Sequence, residues 1–353
     1  MKGLILSGGA GSRLRPLTHT RAKQLVPVAN KPVLFYGIEA VVAAGVTDIG
    51  IVVGDTKDEI RAAVGDGAQW RASITYIEQE APLGLAHAVL TAEPFLGRSS
   101  FVMYLGDNLI QGGIATLVGE FRRERPNAQI LLTHVPNPEQ YGVATLEGER
   151  VVKLVEKPQK PESDLALVGV YMFDHNIFEA ARAIRPSARN ELEITDAIQW
   201  LIDHGLSVRP HVVKGWWKDT GKIEDMLEAN RIVLDTFERE LLGAVDKKSR
   251  IEGKVVLGKG SEVIDSVVRG PAVIGENCRI ETAFIGPYTS IQDRCVVRAS
   301  EIENSILLEG PSIRDLDRRV EGSLIGRYVE IVKEDLKPKA YRFMVGDNSR
   351  VGF

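Results

Sequence analysis

The sequence predicts an α/β protein in two parts. Residues 1–242 read as a Rossmann-like sheet, mostly parallel with mixed pairing and flanked by helices, and residues 243–353 as a left-handed parallel β-helix. Three observations predict this division. Strand-like and helix-like segments alternate through the first two thirds of the chain, and a glycine-rich turn, Ser7-Gly8-Gly9-Ala10-Gly11-Ser12, directly follows the first strand-like run. From Ile251 onward apolar residues recur every five or six positions, and no helical period survives.

Leu4-Ile5-Leu6 is the apolar centre of the first strand. Residues 32–44 ("PVLFYGIEAVVAA") predict an apolar helix stopped by Gly45; residues 48–53 ("DIGIVV") predict a strand, and residues 56–63 an amphipathic helix. Residues 101–105 ("FVMYL") and 129–135 ("QILLTHV") are β-rich. This alternation places helices on both faces of a largely parallel sheet. Residues 141–147 and 150–156 then read as a hairpin, residues 168–173 ("VGVYMF") as a buried strand and residues 207–213 as another strand, with helical periodicity at 194–204 and 223–242.

In the tail the apolar markers are Leu257, Val263, Val268, Ile274, Ile280, Ile285, Ile291, Val296, Ile302, Leu307 and Ile313. Leu257, Ile274 and Ile291 stand 17 residues apart, about one three-faced coil. Cys278 and Cys295 share that spacing, so they are expected to stack on adjacent coils, as reduced core residues or as a redox or metal pair. The spacing becomes irregular after Ile302, which reads as a loop or cap.

A length of 353 residues exceeds one ordinary core, and 44% apolar against 26% charged residues fits a soluble globular protein. A net charge of -4 argues against broad nucleic-acid binding, so local cations are read as features of a site. Two cysteines predict a reducing, cytoplasmic setting. The apolar run after Lys2 is too short for a signal peptide, and no run of about 18 apolar residues predicts a membrane span.

The glycine turn lacks both the third spaced glycine of the dinucleotide fingerprint and the lysine-serine or lysine-threonine of the P-loop. Its glycines can still bring backbone N–H groups close to an anion. Arg13 can fork onto phosphate oxygens and Lys23 can reach them as a point charge; the alternative is a solvated strand-to-helix turn. The full stretch is more specific: Gly-Gly-x-Gly-x-Arg-Leu-x-Pro-x-Thr, then Lys23-Gln24-Leu25-Val26-Pro27-Val28 and Lys31-Pro32, resembles the signature of the sugar nucleotidyltransferases. The segments "QEAPLGLAHAV" (79–89), "YLGDN" (104–108), "EKP" (156–158), "RNELEITDAI" (189–198) and "GWWKDTG" (215–221) extend the resemblance to the long-form glucose-1-phosphate thymidylyltransferases, which carry a β-helical tail.

That resemblance implies dTTP, or UTP, and glucose 1-phosphate as substrates, pyrophosphate as product, Mg²⁺ as cofactor, no nucleic-acid or membrane partner, and a homo-oligomer. Nucleotide binding would fall to Leu6, Gly8, Gly9, Gly11, Ser12, Arg13, Gln24, Gln79, Pro82, Gly84 and Asp107, with base contacts from Gln79 and the turn 82–85. Arg13, Lys23 and Lys157 would act on the phosphates. The sugar phosphate would meet Asn108, Tyr141, Gly142, Glu156, Lys157, Val168, Gly169, Arg189 and Trp217, with Arg189 either a phosphate contact or a surface ion pair. Asp107 and Asp219 follow strand-like runs and supply the hard oxygens Mg²⁺ prefers, although either aspartate alone could be a turn or cap residue.

Three alternatives remain at this level. UDP-glucose or ADP-glucose synthesis keeps the same core chemistry. A bifunctional acyltransferase would want a histidine in the β-helix, and all six histidines precede it. A silent regulatory subunit would not need Arg13, Lys23, Asp107, Lys157 and Asp219 together.

Overall fold

The structure, a computed structural model, describes residues 1–9, 11–15, 17–19 and 22–333. Ala10 of the glycine turn, the Ser12 side chain and residues 334–353 of the expected β-helix lie outside the described residues. The chain forms two compact units, one of Met1–Ala10, Arg21–Leu25 and Val33–Asp219, the other of Gly11–Thr20, Val26–Pro32 and Thr220–Phe353. Among the described residues no helix is long and apolar enough to cross a membrane.

The first unit is built on a nine-stranded sheet. Its first strand, Lys2–Leu6, is buried on both faces and pairs in parallel with Asp48–Val53 on one side and Phe101–Leu105 on the other. Ser73–Glu78 continues the parallel side beyond Asp48–Val53. The chain therefore lays down two strands to one side of Lys2–Leu6 and then returns to the other. That reversal opens a crevice at the carboxyl ends of Lys2–Leu6 and Phe101–Leu105, the usual place for a ligand in an open α/β sheet.

Beyond Phe101–Leu105 the pairing turns antiparallel. Leu165–Phe173 pairs antiparallel with Phe101–Leu105 and with Ala128–His134, and the latter pairs in parallel with Val208–Val212. The hairpin Gly142–Glu147 and Arg150–Glu156 completes that edge, joined through Ala166 and Val143. The sheet is thus mixed, and its all-parallel part is the side nearest the amino terminus. Helices Val33–Ala43 and Ala115–Glu124 cover one face; Leu85–Thr91, Ile177–Ala183 and Ile194–Asp203 cover the other.

The second unit carries three sheets of short parallel strands, the left-handed β-helix. Leu257, Ile274, Ile291, Leu307 and Ile325 stack in one column; Val263, Ile280, Val297, Ile313 and Ile331 in the second; Ile251, Val268, Ile285, Ile302 and Val320 in the third. One expectation is corrected here. Val297, and not Val296, points into the core. Of the two readings of the spacing after Ile302, the loop is found and the cap is not: Ile313 to Val320 spans seven residues where Val297 to Ile302 spans five, and the columns continue in register beyond it.

The last predicted helix is also shorter than its pattern suggested. It runs Ile223–Leu234, and Glu240–Leu241 already pairs with the coil strand Val255–Leu257. The β-helix therefore begins before Ile251. Asn230 explains why this helix belongs to the second unit: fully buried, it accepts from Ala29 N at 2.8 Å and Ser290 Oγ at 2.6 Å and donates to Tyr288 O at 3.0 Å.

Cys278 and Cys295 are free, buried and stacked below Ser261 in one corner column. Their thiols meet backbone carbonyls of the following coil, Cys278 Sγ at 3.0 Å from Gln292 O and Cys295 Sγ at 3.2 Å from Leu308 O. Ser261 does the same through its hydroxyl, 2.7 Å from Gly275 O. A corner that serine and cysteine fill alike asks for a small donor. Contact between the two thiols raises Cys295, an effect that burial reinforces, and lowers Cys278 in spite of its burial.

Candidate active site

Ser7 N donates to Val52 O at 2.8 Å, and Gly106 N to Leu6 O at 2.9 Å, so the loops leaving the two central strands are held side by side. A β-carbon on Gly106 would come within 3.0 Å of Leu6 O; only glycine lets the loops approach this closely. Leu6 is buried at the floor of this junction. Ser7 is fully buried, and its hydroxyl has no hydrogen-bond partner among the described residues. A β-carbon on Gly9 would lie 3.2 Å from Lys23 Cε and 3.7 Å from Gln24 Nε2. Gln24 is itself buried, with Oε1 unpartnered among the described residues. Such atoms are costly to bury unless something else satisfies them, and here they gather beside a glycine loop and a cation.

Lys23 makes an ion pair with Asp107, the residue after Gly106. Burial alone would raise the Asp107 carboxyl. The Lys23 ammonium and a hydrogen bond from Asn108 Nδ2 at 2.9 Å more than offset this and hold it below the usual carboxylate range.

Asn108 begins a two-stranded ribbon in which Asn108–Ile110 runs antiparallel to Trp217–Asp219, with Asn108 opposite Asp219. Three contacts hold its side chain. Oδ1 accepts from Trp217 Nε1 at 2.5 Å and from Gly169 N at 3.3 Å, while Nδ2 holds Asp107. The backbone N–H of Gly169 is available because the pairing of Leu165–Phe173 with Ala128–His134 shifts register between Leu167 and Tyr171. A β-carbon on Gly169 would lie 2.7 Å from Asn108 Oδ1. Val168, beside it, is fully buried.

Asp219 is therefore one member of this cross-strand pair, and Asp107 immediately precedes the other. Their oxygens suit a hard divalent cation. Among the described residues no group of three or more His, Cys, Asp or Glu side chains is placed to ligate a metal. Such a pair would leave most of the coordination to water and substrate phosphates, as Mg²⁺ prefers.

On the antiparallel side, Tyr141 packs edge-on to Trp217 with ring centroids 5.4 Å apart. Its carbonyl accepts from Lys157 N at 2.9 Å; Lys157 has φ +42° and takes the chain off the strand Arg150–Glu156. Gly142 leaves no room for a side chain: a β-carbon would lie 2.6 Å from Thr195 Cγ2 and 3.1 Å from Glu156 Oε2. Burial, reinforced by the Glu193 charge, raises the Glu156 carboxyl, while Lys157 and Arg189 pull it down. Glu156 accepts from Arg189 at 3.2 Å and from Thr195 Oγ1 at 3.3 Å. Arg189 is held more tightly by buried Glu193, with contacts of 2.8 and 2.9 Å, and also lies 3.3 Å from Glu191. Arg189 thus sits in a cluster of three carboxylates, Glu156, Glu191 and Glu193.

At the other edge, Gln79 follows the strand Ser73–Glu78, and a β-carbon on Gly8 would lie 3.6 Å from its Oε1. Pro82 and Leu83 are exposed. Gly84, at φ +105°, sits against backbone, with a hypothetical β-carbon 2.4 Å from Leu192 O. Gly11, Ser12 and Arg13 fall in the second compact unit. There Leu14 N and Thr18 Oγ1 donate to Gly11 O, and Arg13 is exposed.

Several residues were not singled out by sequence reasoning. Ser7, Gly106, Glu193 and Thr195 lie inside the quoted motifs, but only the fold reveals their burial. His87, 2.9 Å from Gln79 Nε2, has no sequence signal beyond falling in "GLAHAV".

Comparison with known proteins gives concordant results. The family model for nucleotidyl transferases matches residues 2–236. A glucose-1-phosphate thymidylyltransferase from Streptomyces griseus is 56% identical over 351 residues, covering 99% of each chain. A low-salt glycan biosynthesis nucleotidyltransferase from Haloferax volcanii is 45% identical over 356 residues, again covering 99% of each. Among solved structures, a UDP-glucose pyrophosphorylase complexed with UDP-glucose matches with a TM-score of 0.60 at 26% identity, covering 66% of this chain and 98% of its own.

Proposed function

The chain belongs to the nucleotidyl transferase family, and from that premise we propose that it makes dTDP-glucose and pyrophosphate from dTTP and glucose 1-phosphate. An oxygen of the sugar phosphate attacks the α-phosphorus of the nucleotide in line. The bond between α-phosphorus and bridging oxygen breaks, and pyrophosphate carries that oxygen away. The nucleophile is already an anion, so no general base is required, and orientation of two bound anions supplies most of the advantage.

The observation that carries this reading is the meeting of the glycine loop, Lys23 and Asp107 at the exit of the first strand. In this assignment the loop amides and Arg13 hold the nucleotide phosphates, and Gln24 and Gln79 face the base. Lys23 neutralises charge at the reacting centre, and Lys157 holds the sugar phosphate. Glu156 and the Tyr141–Gly142 and Val168–Gly169 backbones meet the sugar. Asn108, whose side chain is taken up by Asp107, Trp217 and Gly169, is a positioning residue, and so is Arg189. Asp107 and Asp219 would hold Mg²⁺, which supplies charge neutralisation at the phosphates when bound.

Thymine and uracil share a hydrogen-bonding edge and differ by one methyl group, a difference worth about 1–3 kcal/mol in a pocket. UTP should therefore also be used as a substrate. The long, in-register β-helix supports a scaffold role, with self-association as its function. Exposed Leu242 and Tyr328 near its two ends favour that reading. Two free buried cysteines fit a cytoplasmic setting.

The test is pyrophosphate release by the purified chain with Mg²⁺ across a matrix of nucleoside triphosphates and sugar 1-phosphates. Release only with dTTP or UTP plus glucose 1-phosphate supports the proposal. A preference for ATP would replace it with ADP-glucose synthesis.

A further inference from the structure

The contacts of Gln79 fix more than its position. Its Nε2 lies 2.9 Å from His87 Nδ1 and 3.4 Å from Gly84 O. A backbone carbonyl can only accept, so the N–H edge of the amide must face this side. His87 Nδ1 must then accept as well, leaving the ring proton on Nε2. Oε1 is turned the opposite way, toward Gly8, where a β-carbon would lie 3.6 Å from it.

The supports of this arrangement are rigid. Gln79 N donates to Val53 O at 2.9 Å at the end of the sheet. His87 stands in the helix Leu85–Thr91, whose entry is fixed by Ala86 N donating to Leu192 O at 3.0 Å and Leu192 N to Leu83 O at 2.7 Å. A free glutamine amide can present either its donor or its acceptor with little difference in energy. Here Gly84 O, which can only accept, selects the orientation, since a flipped amide would set its oxygen against that carbonyl, and His87 Nδ1 in its accepting tautomer holds the amide there.

We infer that His87 is a positioning residue that determines base specificity, holding Gln79 so that its carbonyl oxygen faces the nucleotide side. An acceptor in that place recognises a pyrimidine whose N3 carries a proton, as in thymine and uracil, and opposes one whose N3 is an acceptor, as in cytosine. This inference rests on the functional reading above, which puts the base at Gln79.

The test measures kcat and KM for dTTP and dCTP, with glucose 1-phosphate and Mg²⁺ saturating, in the wild type and in His87→Ala, His87→Leu and His87→Asn. Leucine keeps bulk but removes the acceptor; asparagine can place Oδ1 near the position of Nδ1. A single lost hydrogen bond predicts about a fivefold to tenfold rise in the KM for dTTP in the Ala and Leu variants. Their kcat should stay within about twofold and their preference for dTTP over dCTP should fall by a similar factor. His87→Asn should recover most of both. Unchanged KM and unchanged dTTP preference in Ala or Leu would overturn the inference, as would equal losses with both nucleotides that Asn does not rescue. If Ala does not fold, Leu against Asn decides the question. An inactive wild type would instead remove the functional reading on which this one stands.

Discussion

Asp107 is ionised in spite of its burial because Lys23 and Asn108 both stabilise the anion. Its folded pKa lies below the unfolded value of about 3.9. The stability this adds is therefore complete above that value and lost as pH falls through the lower, folded one. Urea midpoints measured from about pH 5 down to pH 2 should fall more steeply for the wild type than for Asp107→Asn. Parallel curves would mean that the pair does not form in solution. At this scale the sequence was most legible where residue type and chemistry coincide, as for Lys23, Asp107 and Asp219. It was least legible where a residue acts through another. Nothing in the string of letters distinguishes Asn108 as a side chain spent on its neighbours, or Glu193 as the buried anchor of Arg189, because both facts depend on which distant strands meet.

Two elements show how backbone and packing set the positions of these groups. The turn before the helix Leu85–Thr91 depends on Gly84, whose φ of +105° and contact with the Leu192 backbone both exclude a side chain. Gly84→Ala should cost about 2–4 kcal/mol in denaturant titrations and weaken nucleotide binding with it. A change below about 0.5 kcal/mol would show that the turn can shift freely. In the second unit, Asn230→Ala removes three hydrogen bonds from a fully buried site and leaves Ala29 N, Ser290 Oγ and Tyr288 O to find other partners. A loss of about 2–5 kcal/mol is expected, and a near-neutral result would contradict the packing described. The strands and most helices followed from periodicity, since period two and period 3.6 leave different marks. The helix predicted over 223–242 was overextended because Leu241 and Leu242 continue its apolar pattern, although the residues from Glu240 already pair with the next coil.

At the scale of the molecule, the two-part organisation was legible from the change of apolar spacing, but its bookkeeping along the chain was not. Helix Ile223–Leu234 and the short hairpin of Pro27–Val28 with Lys31–Pro32 fall in the unit that contains the β-helix. A pattern reading cannot see this, because it assigns segments by neighbours in sequence. A chain cut after residue 242 loses Tyr288 and Ser290, the partners of fully buried Asn230. That truncation should be poorly soluble and inactive; a soluble, fully active 1–242 fragment would contradict the division. EDTA should abolish pyrophosphate release by the intact chain, and added Mg²⁺ should restore it. Retention of turnover without a divalent cation would remove the role given to the aspartates.

The central claim is that the exit of the first strand brings two anionic substrates together around Asp107 and Asp219. Its most direct test is the rate of pyrophosphate release by Asp107→Asn and Asp219→Asn, with dTTP, glucose 1-phosphate and Mg²⁺ present and folding verified by circular dichroism. The rate should fall at least about a thousandfold in each folded variant. A rate within about tenfold of the wild type in either would contradict the claim.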